Sequence, residues 1–480
     1  MKIIMKNILY NSIRGVSILA VVSAFFSSCS EDFPSSVESK QFADIESIRI
    51  VNAGAGGNQI LEGNVDELTK IITFPRLDTL TDFSKLKFEA TTSNGSKLEQ
   101  DEFSVPYQSG DTEKSVYLKV VNSPRFKEYR AQIRFKVAVL GADFTLPKIY
   151  DYSSNPLGNP PYASFTGQST RGTGFDGEHI LIVNRGAGGT HLLKVEDLKH
   201  DVITRIPLNM TSVGEGTLTY NMGAQINGHT YVANLSGGKT SPLKLYHWST
   251  PSQVPDLVAK IDVNSLAGAG DRHGDNLSVN VDKDGNGYAF FLCATAPIIR
   301  LKITNFSVGS EPTVITPQIN YEQWGHFNRV GETDSYILSG HSKPMALVTN
   351  TASTLFTAKA TTFPIGSSDF RVIQFNGERY LLAITVNRGA PNGTSVVMNI
   401  YNITKGGNMV DALTAFEQGE MKAVFTYMIS GVTNTAPGTQ ANFYVQKGAD
   451  GKDEKLLVYG AGTDAGFAIV EFPINTDKEE

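Results

Sequence analysis

The chain has 480 residues, 40% of them hydrophobic and 10% aromatic, with 45 glycines, two cysteines and a formal net charge of −6. This length exceeds one ordinary domain, and scattered basic residues on a net acidic chain argue against a nucleic-acid or other polyanion binder. Two cysteines exclude a disulfide framework, and abundant Gly with almost no amphipathic helical periodicity points to many short strands joined by turns.

Residues 1–28 read as a targeting segment. Lys2, Lys6 and Arg14 make a basic start, and Val16–Phe26 is an apolar run too short to span a bilayer. The small residues of "SSCS" directly before Cys29 resemble the lipobox of bacterial lipoproteins, with Ser28 where Gly or Ala is usual. That resemblance implies lipidation of Cys29 and membrane attachment through acyl chains. The alternative is an ordinary secretory signal with an incidental cysteine. Residues 29–44 form a polar, acidic tether. Its opening, "SED" after Cys29, is similar to the surface-export signal of Bacteroidetes lipoproteins, which implies a surface-exposed outer-membrane address. Cys293 lies in the apolar run "YAFFLCATA", so a buried, unreactive thiol is expected there.

Residues 45–140 alternate apolar and polar positions in strand-length runs such as "IESIRIV", "KSVYLKVV" and "YRAQIRFKVAV", separated by "AGAGGN", "SNGS" and "QSGDTE". Five or more such strands predict a small antiparallel β-sandwich. Phe74-Pro75, the turn at Asp82–Leu86 and Tyr129 at the start of the last strand resemble the Ig-like N-terminal modules of Bacteroidetes surface lipoproteins. That resemblance implies a spacer or docking role.

Residues 141–480 follow a loose repeat of an apolar strand, a Gly-bearing turn, a strongly apolar strand, a polar loop and another strand. The turns at Gly177, Gly228, Gly285, Gly331, Gly377 and Gly451 recur at roughly 45–75 residues, the spacing of propeller blades with variable loops. Six copies predict a six-bladed β-propeller, with Phe144–Ser153 supplying a closing strand to the last blade. A large sandwich or a β-solenoid is the competing arrangement. The predicted fold class is therefore all-β, an Ig-like sandwich followed by a propeller. This architecture resembles Bacteroidetes envelope lipoproteins of uncharacterised function that are encoded near glycan-uptake systems, which implies an outer-membrane uptake complex as partner.

"VNRGAGGTH" at Val183–His191 recurs as "VNRGAPNGT" at Val386–Thr394. In each copy the Arg-Gly stretch joins the second and third strands of a blade, on the face that also carries the connections between blades. Repeat ancestry alone explains the echo, because Asn and Gly supply the left-handed turns such a loop needs. The functional reading places Arg185 and Arg388 over the propeller mouth. The connections between blades add Arg171, Tyr220, Asn221, Arg272, His273, Trp324, His326 and Arg371. Aromatic rings, amides and guanidinium groups together suit a sugar, with stacking on Trp324 and hydrogen bonds to hydroxyls or uronate carboxylates. Packing between blades is the competing role for Trp324.

Two motifs are set aside. "DKDGNG" at Asp282–Gly287 matches the opening of a Ca²⁺-binding EF-hand loop, but the twelfth position is Cys293 rather than Glu, so a hairpin turn is expected. Asn276, Asp275 and Asp369, with His273 or His326 as base, resemble the metal centre of gluconolactonase-like propellers. No acidic residue recurs at equivalent blade positions, however. The expectation is a lipid-anchored envelope protein binding a glycan without catalysis or cofactor. A metal-dependent propeller hydrolase or lyase, and a protein-binding scaffold, are the alternatives.

Overall fold

The computed structural model describes residues 41–476 except 109–110, 137–138, 155–156, 164, 166–168, 217, 237–239, 293–296, 387–395 and 431–438. Cys29, Cys293 and Arg388 lie outside the described residues. The chain divides into two compact units, 1–138 and 139–480. Among the described residues no helix is long and apolar enough to cross a membrane.

The first unit has eight strands: β1 (Ile45–Ala53), β2 (Gln59–Asp66), β3 (Ile71–Thr73), β4 (Leu86–Thr92), β5 (Lys97–Leu98), β6 (Glu102–Phe103), β7 (Glu113–Asn122) and β8 (Arg125–Arg134). They form one hydrogen-bonded path, β5-β7-β8-β3-β2-β1-β4-β6, parallel at β3–β8. Where two facing sheets were expected, a single sheet curls into a half-barrel. Either arrangement buries one face of each strand, so both write the same alternation into the sequence. Val116, Leu118 and Val120 of β7 and Tyr129, Ala131 and Ile133 of β8 supply that buried face. The Tyr129 hydroxyl donates to Glu67 (2.6 Å) and accepts from Ile45 N (3.2 Å). Burial and the neighbouring carboxylate hold its pKa well above the usual phenol range. Asp82 caps a short 3-10 turn, accepting from Ser84 N (3.0 Å), and so aims the chain into β4.

The second unit is a six-bladed β-propeller, six small sheets in chain order. The innermost strands are Thr170–Phe175, Met222–Ile226, Asn276–Val281, His326–Arg329, Ser367–Phe375 and Thr439–Lys447. Consecutive inner strands touch, and the sixth touches the first, which closes the ring. The last sheet takes its outermost strand from the start of the unit: Lys148–Asp151 pairs antiparallel with Ala468–Glu471, as the sequence predicts. Six apolar clusters hold the ring, each formed by two consecutive blades. The middle strands are therefore buried on both faces, which explains near-continuous apolar runs such as "HILIV" and "YAFFL". Trp248 is fully buried between blades one and two, donating to Asn209 O (2.9 Å).

The six repeat glycines occupy one structural position. Each sits in the hairpin joining the first and second strands of its blade, with φ between +52° and +93°. A side chain is disfavoured at such φ, and this is why the repeat is legible despite variable loops. "DKDGNG" is one of these turns: Asp282 accepts from Asp284 N and Asn286 N (both 2.9 Å). All six hairpins lie on one face of the disc. The loops between second and third strands and the connections between blades lie on the other, called the upper face below.

Candidate functional site

Amide side chains tie the inner strands together around the channel. Asn280 donates to Phe327 O and accepts from Arg329 N (both 2.8 Å), so blade three holds blade four as a ladder partner would. Asn328 donates to Phe370 O (3.0 Å), linking blades four and five. Asn442 donates to Phe175 O (2.6 Å), linking six and one. Gln440 reaches further, accepting from Thr173 N and donating to Gly223 O (3.1 Å). Asn is disfavoured in strand interiors. Gln440 and Asn442 stand out in the sequence as polar residues of "GTQANF", a connection between blades, whereas Asn280 and Asn328 are absent from the sequence-derived site, although their placement in apolar strand patterns is the signal that could have found them.

Asp369 is the centre of a buried polar cluster, called the plug below. It is fully buried, in a bulge of the blade-five inner strand, with left-handed backbone at φ +47°. Its carboxylate accepts from Asn328 Nδ2 (2.7 Å), Ala441 N (2.5 Å) and Arg371 Nε (3.2 Å), joining blades four, five and six. His326, also buried, places Nδ1 3.4 Å from Asp369 Oδ1 and Nε2 3.0 Å from Asn276 Nδ2. Burial pushes the His326 pKa below its ordinary value. Asp369 opposes that shift and Arg371 adds to it.

Of the ten sequence-derived site residues, three are internal ties. His326 belongs to the plug just described. His273 is fully buried, its ring nitrogens facing Ala269 O and Phe291 O, and burial lowers its pKa. Asn221 is buried, donating to Gly274 O (2.7 Å). Arg371 sits half-buried against Asp369 and lines a central cavity of about 160 Å³ with Gln225, Ser278, Asn280 and Gln440. That cavity reaches Gly331 and Glu332, so it lies toward the hairpin face rather than the upper one. Asp369 and His326 are thus buried toward the upper side and the cavity lies toward the hairpin side, a division no sequence pattern announced.

Four residues do gather on the upper face, around blades one to three. Arg171 is the second residue of the blade-one inner strand, and Arg185 opens the "RGAGGT" loop, its N–H bonded to Ser169 O (2.7 Å). Arg272 grips Asp275 with both branches, Nε to Oδ2 at 2.8 Å and Nη2 to Oδ1 at 2.6 Å. Arg171 is half-buried, and its Nε is buried without an acceptor among the described residues. Burial lowers its pKa, Asp275 opposes this, and Arg185 and Arg272 lower it further. Burial also lowers the pKa of Arg185, while Tyr220 opposes that shift.

Trp324 stands on the upper face at blade four, half-buried, with left-handed backbone at φ +56°. It meets His341 edge-on, ring centroids 6.0 Å apart. His341 also lines a cavity of about 200 Å³ between blades four and five, with Lys343, Met345, Phe363 and Ile365. This hollow, beside the one partly exposed tryptophan, was not foreseen in the sequence.

The DUF4623 family, described as a domain of unknown function, matches residues 31–475. The chain belongs to the DUF4623 family. A DUF4623 family protein from Bacteroides eggerthii has a crystal structure that matches at 38% identity and a TM-score of 0.72, covering 91% of this chain and 100% of that one. The fold is therefore shared within the DUF4623 family. The subtype N11 neuraminidase-like protein of the H18N11 flat-faced bat isolate matches at 11% identity and TM-score 0.41, covering 72% and 97% of the two chains. A GH43_1 enzyme from Xanthomonas citri complexed with xylose matches at 13% identity and TM-score 0.29, covering 46% and 82%. At such scores neither bears on function. No curated protein matches the chain.

Proposed function

We propose that this protein is a cell-envelope lipoprotein, anchored through Cys29, whose propeller binds a glycan at its upper face without turning it over. The carrying observation is the upper face itself: Trp324 beside the His341 cavity, with Arg171, Arg185 and Tyr220 across the mouth. An aromatic plate and fork-shaped donors are what sugar rings and their oxygen atoms require. Asp275 and Asp369, the two carboxylates of the metal-centre reading, are already engaged, Asp275 by Arg272 and Asp369 by Arg371, Asn328 and Ala441 N. His273 and His326 are buried behind them. This disposition supports a binder over an acid–base catalyst. The first unit then serves as a spacer, and an outer-membrane glycan-uptake complex is the fitting partner.

The test is calorimetry of the full chain against soluble polysaccharides, with and without EDTA, each mixture chromatographed for product. Binding without product, weakened roughly tenfold in Trp324→Ala as loss of one stacking ring implies, supports the reading. Product formation abolished by EDTA would make the protein a metal-dependent hydrolase or lyase instead. No binding across the panel would move the weight to a protein partner. The exposed apolar side chains Leu257 and Val308 on the outer edges of blades two and three would then be the first surface to probe.

A further inference from the structure

The upper rim around blades one to three holds three guanidinium groups, Arg171, Arg185 and Arg272, and the carboxylate acting on Arg171 is Asp275. Asp275 is only 4% exposed, and both of its oxygens are taken by Arg272 at 2.8 and 2.6 Å. Arg171 therefore keeps its charge with neither an ion pair of its own nor an acceptor for its Nε among the described residues. A buried N–H left unpaired is destabilising, and a half-buried guanidinium flanked by two others adds like-charge repulsion. Such an arrangement is retained at low cost only where an anion arrives to fill it. Arg171 reaches the rim from a rigid inner strand, where Gly172 and Gly174 let blade one lie against blade two. The group is thus pre-positioned rather than swinging on a loop. Tyr220, whose phenol group acts on Arg185, lies close to the same rim.

We infer that the glycan taken by this mouth is acidic, with a sugar-borne oxyanion, a uronate carboxylate or a sulfate ester, seated on Arg171 between Arg185 and Arg272. This rests on the glycan-binding reading above and adds the substrate class. The planar fork of Arg171 matches either oxyanion through two parallel N–H···O bonds, which a lysine ammonium does not reproduce.

The experiment titrates the full chain with three oligomers of matched length: tetragalacturonate, a sulfated carrageenan tetramer and a neutral galactan tetramer. One of the acidic oligomers is expected to bind at least tenfold tighter than galactan, and which one does so separates carboxylate from sulfate. Arg171→Gln is expected to remove that preference, bringing the acidic oligomer to within twofold of galactan in the same variant, and Arg171→Lys to restore less than half of it. Arg272→Gln, at a half-exposed position, is expected to weaken the acidic ligand again, because it leaves Asp275 uncovered beside the site. It also serves as the check if Arg171→Gln fails to fold. Equal affinity for acidic and neutral oligomers would overturn this inference and leave the glycan-binding reading standing. An acidic preference that survives in both variants would overturn the assignment to Arg171. Absence of binding by all three would overturn both readings.

Discussion

Replacing Asp369 by Ala removes the acceptor shared by three blades. Two of its donors, Ala441 N and Asn328 Nδ2, are buried. Each buried donor left unpaired costs about 1–3 kcal/mol. Arg371, whose side chain is 18% exposed, loses its only carboxylate among the described residues. Residual solvent contact limits that part to about 1 kcal/mol. Alanine is also less tolerant than aspartate of the left-handed backbone at this position, which adds up to about 1 kcal/mol. The expected total for Asp369→Ala is therefore about 3–8 kcal/mol. Asp369→Asn keeps one acceptor oxygen and tolerates the same backbone, so about 2 kcal/mol is expected. Both tryptophans, Trp248 and Trp324, lie in the propeller, so their emission during urea unfolding reports that unit alone. A midpoint for Asp369→Ala indistinguishable from the parent would refute the idea that this carboxylate pins the inner ring. An Asn variant as damaged as the Ala variant would show that charge, rather than acceptor geometry, is what matters.

Two further outcomes follow from the same ring. A Cβ at Gly172 would stand 2.6 Å from both Met222 Cα and Gly223 N, backbone atoms that cannot step aside, so Gly172→Ala should cost about 2 kcal/mol in the same assay. A neutral result would mean that blades one and two pack more loosely than their inner strands imply. Burial holds His191, His229, His247, His273 and His326 below the ordinary histidine pKa, so the fold refuses protons that the unfolded chain accepts. Stability should therefore be flat above about pH 6.5 and fall as pH drops below it. His326→Asn should reduce the loss between pH 7.5 and pH 5 by about 1 kcal/mol, and an unchanged loss would mean that His326 titrates normally in the fold.

Local dihedral requirements and strand period are properties of a few adjacent residues, and these are the features legible along the chain. The left-handed glycine at each first hairpin, from Gly177 to Gly451, announces six blades because any Cβ is disfavoured there. Apolar runs announce middle strands buried on both faces, and Lys148–Asp151 is recognisable as a strand without a blade of its own. The curl of the first sheet was not legible, since a half-barrel and a sandwich bury the same alternate residues. Nor was the sorting of polar residues near the channel. His273, His326 and Asn221 resemble Arg171 and Arg185 as loop-adjacent polar groups, yet the first three turn inward and the arginines gather at the rim. For Asn221 and His326 that choice depends on partners about 40 or more residues away, Gly274 and Asp369 respectively. Only closure of the ring brings those partners within hydrogen-bond range, because each inner strand must satisfy the exposed edge of the next. The sequence by itself determined the strands, the turns and the count of blades. The tertiary structure decided which polar side chains tie the inner strands together and which gather at the rim.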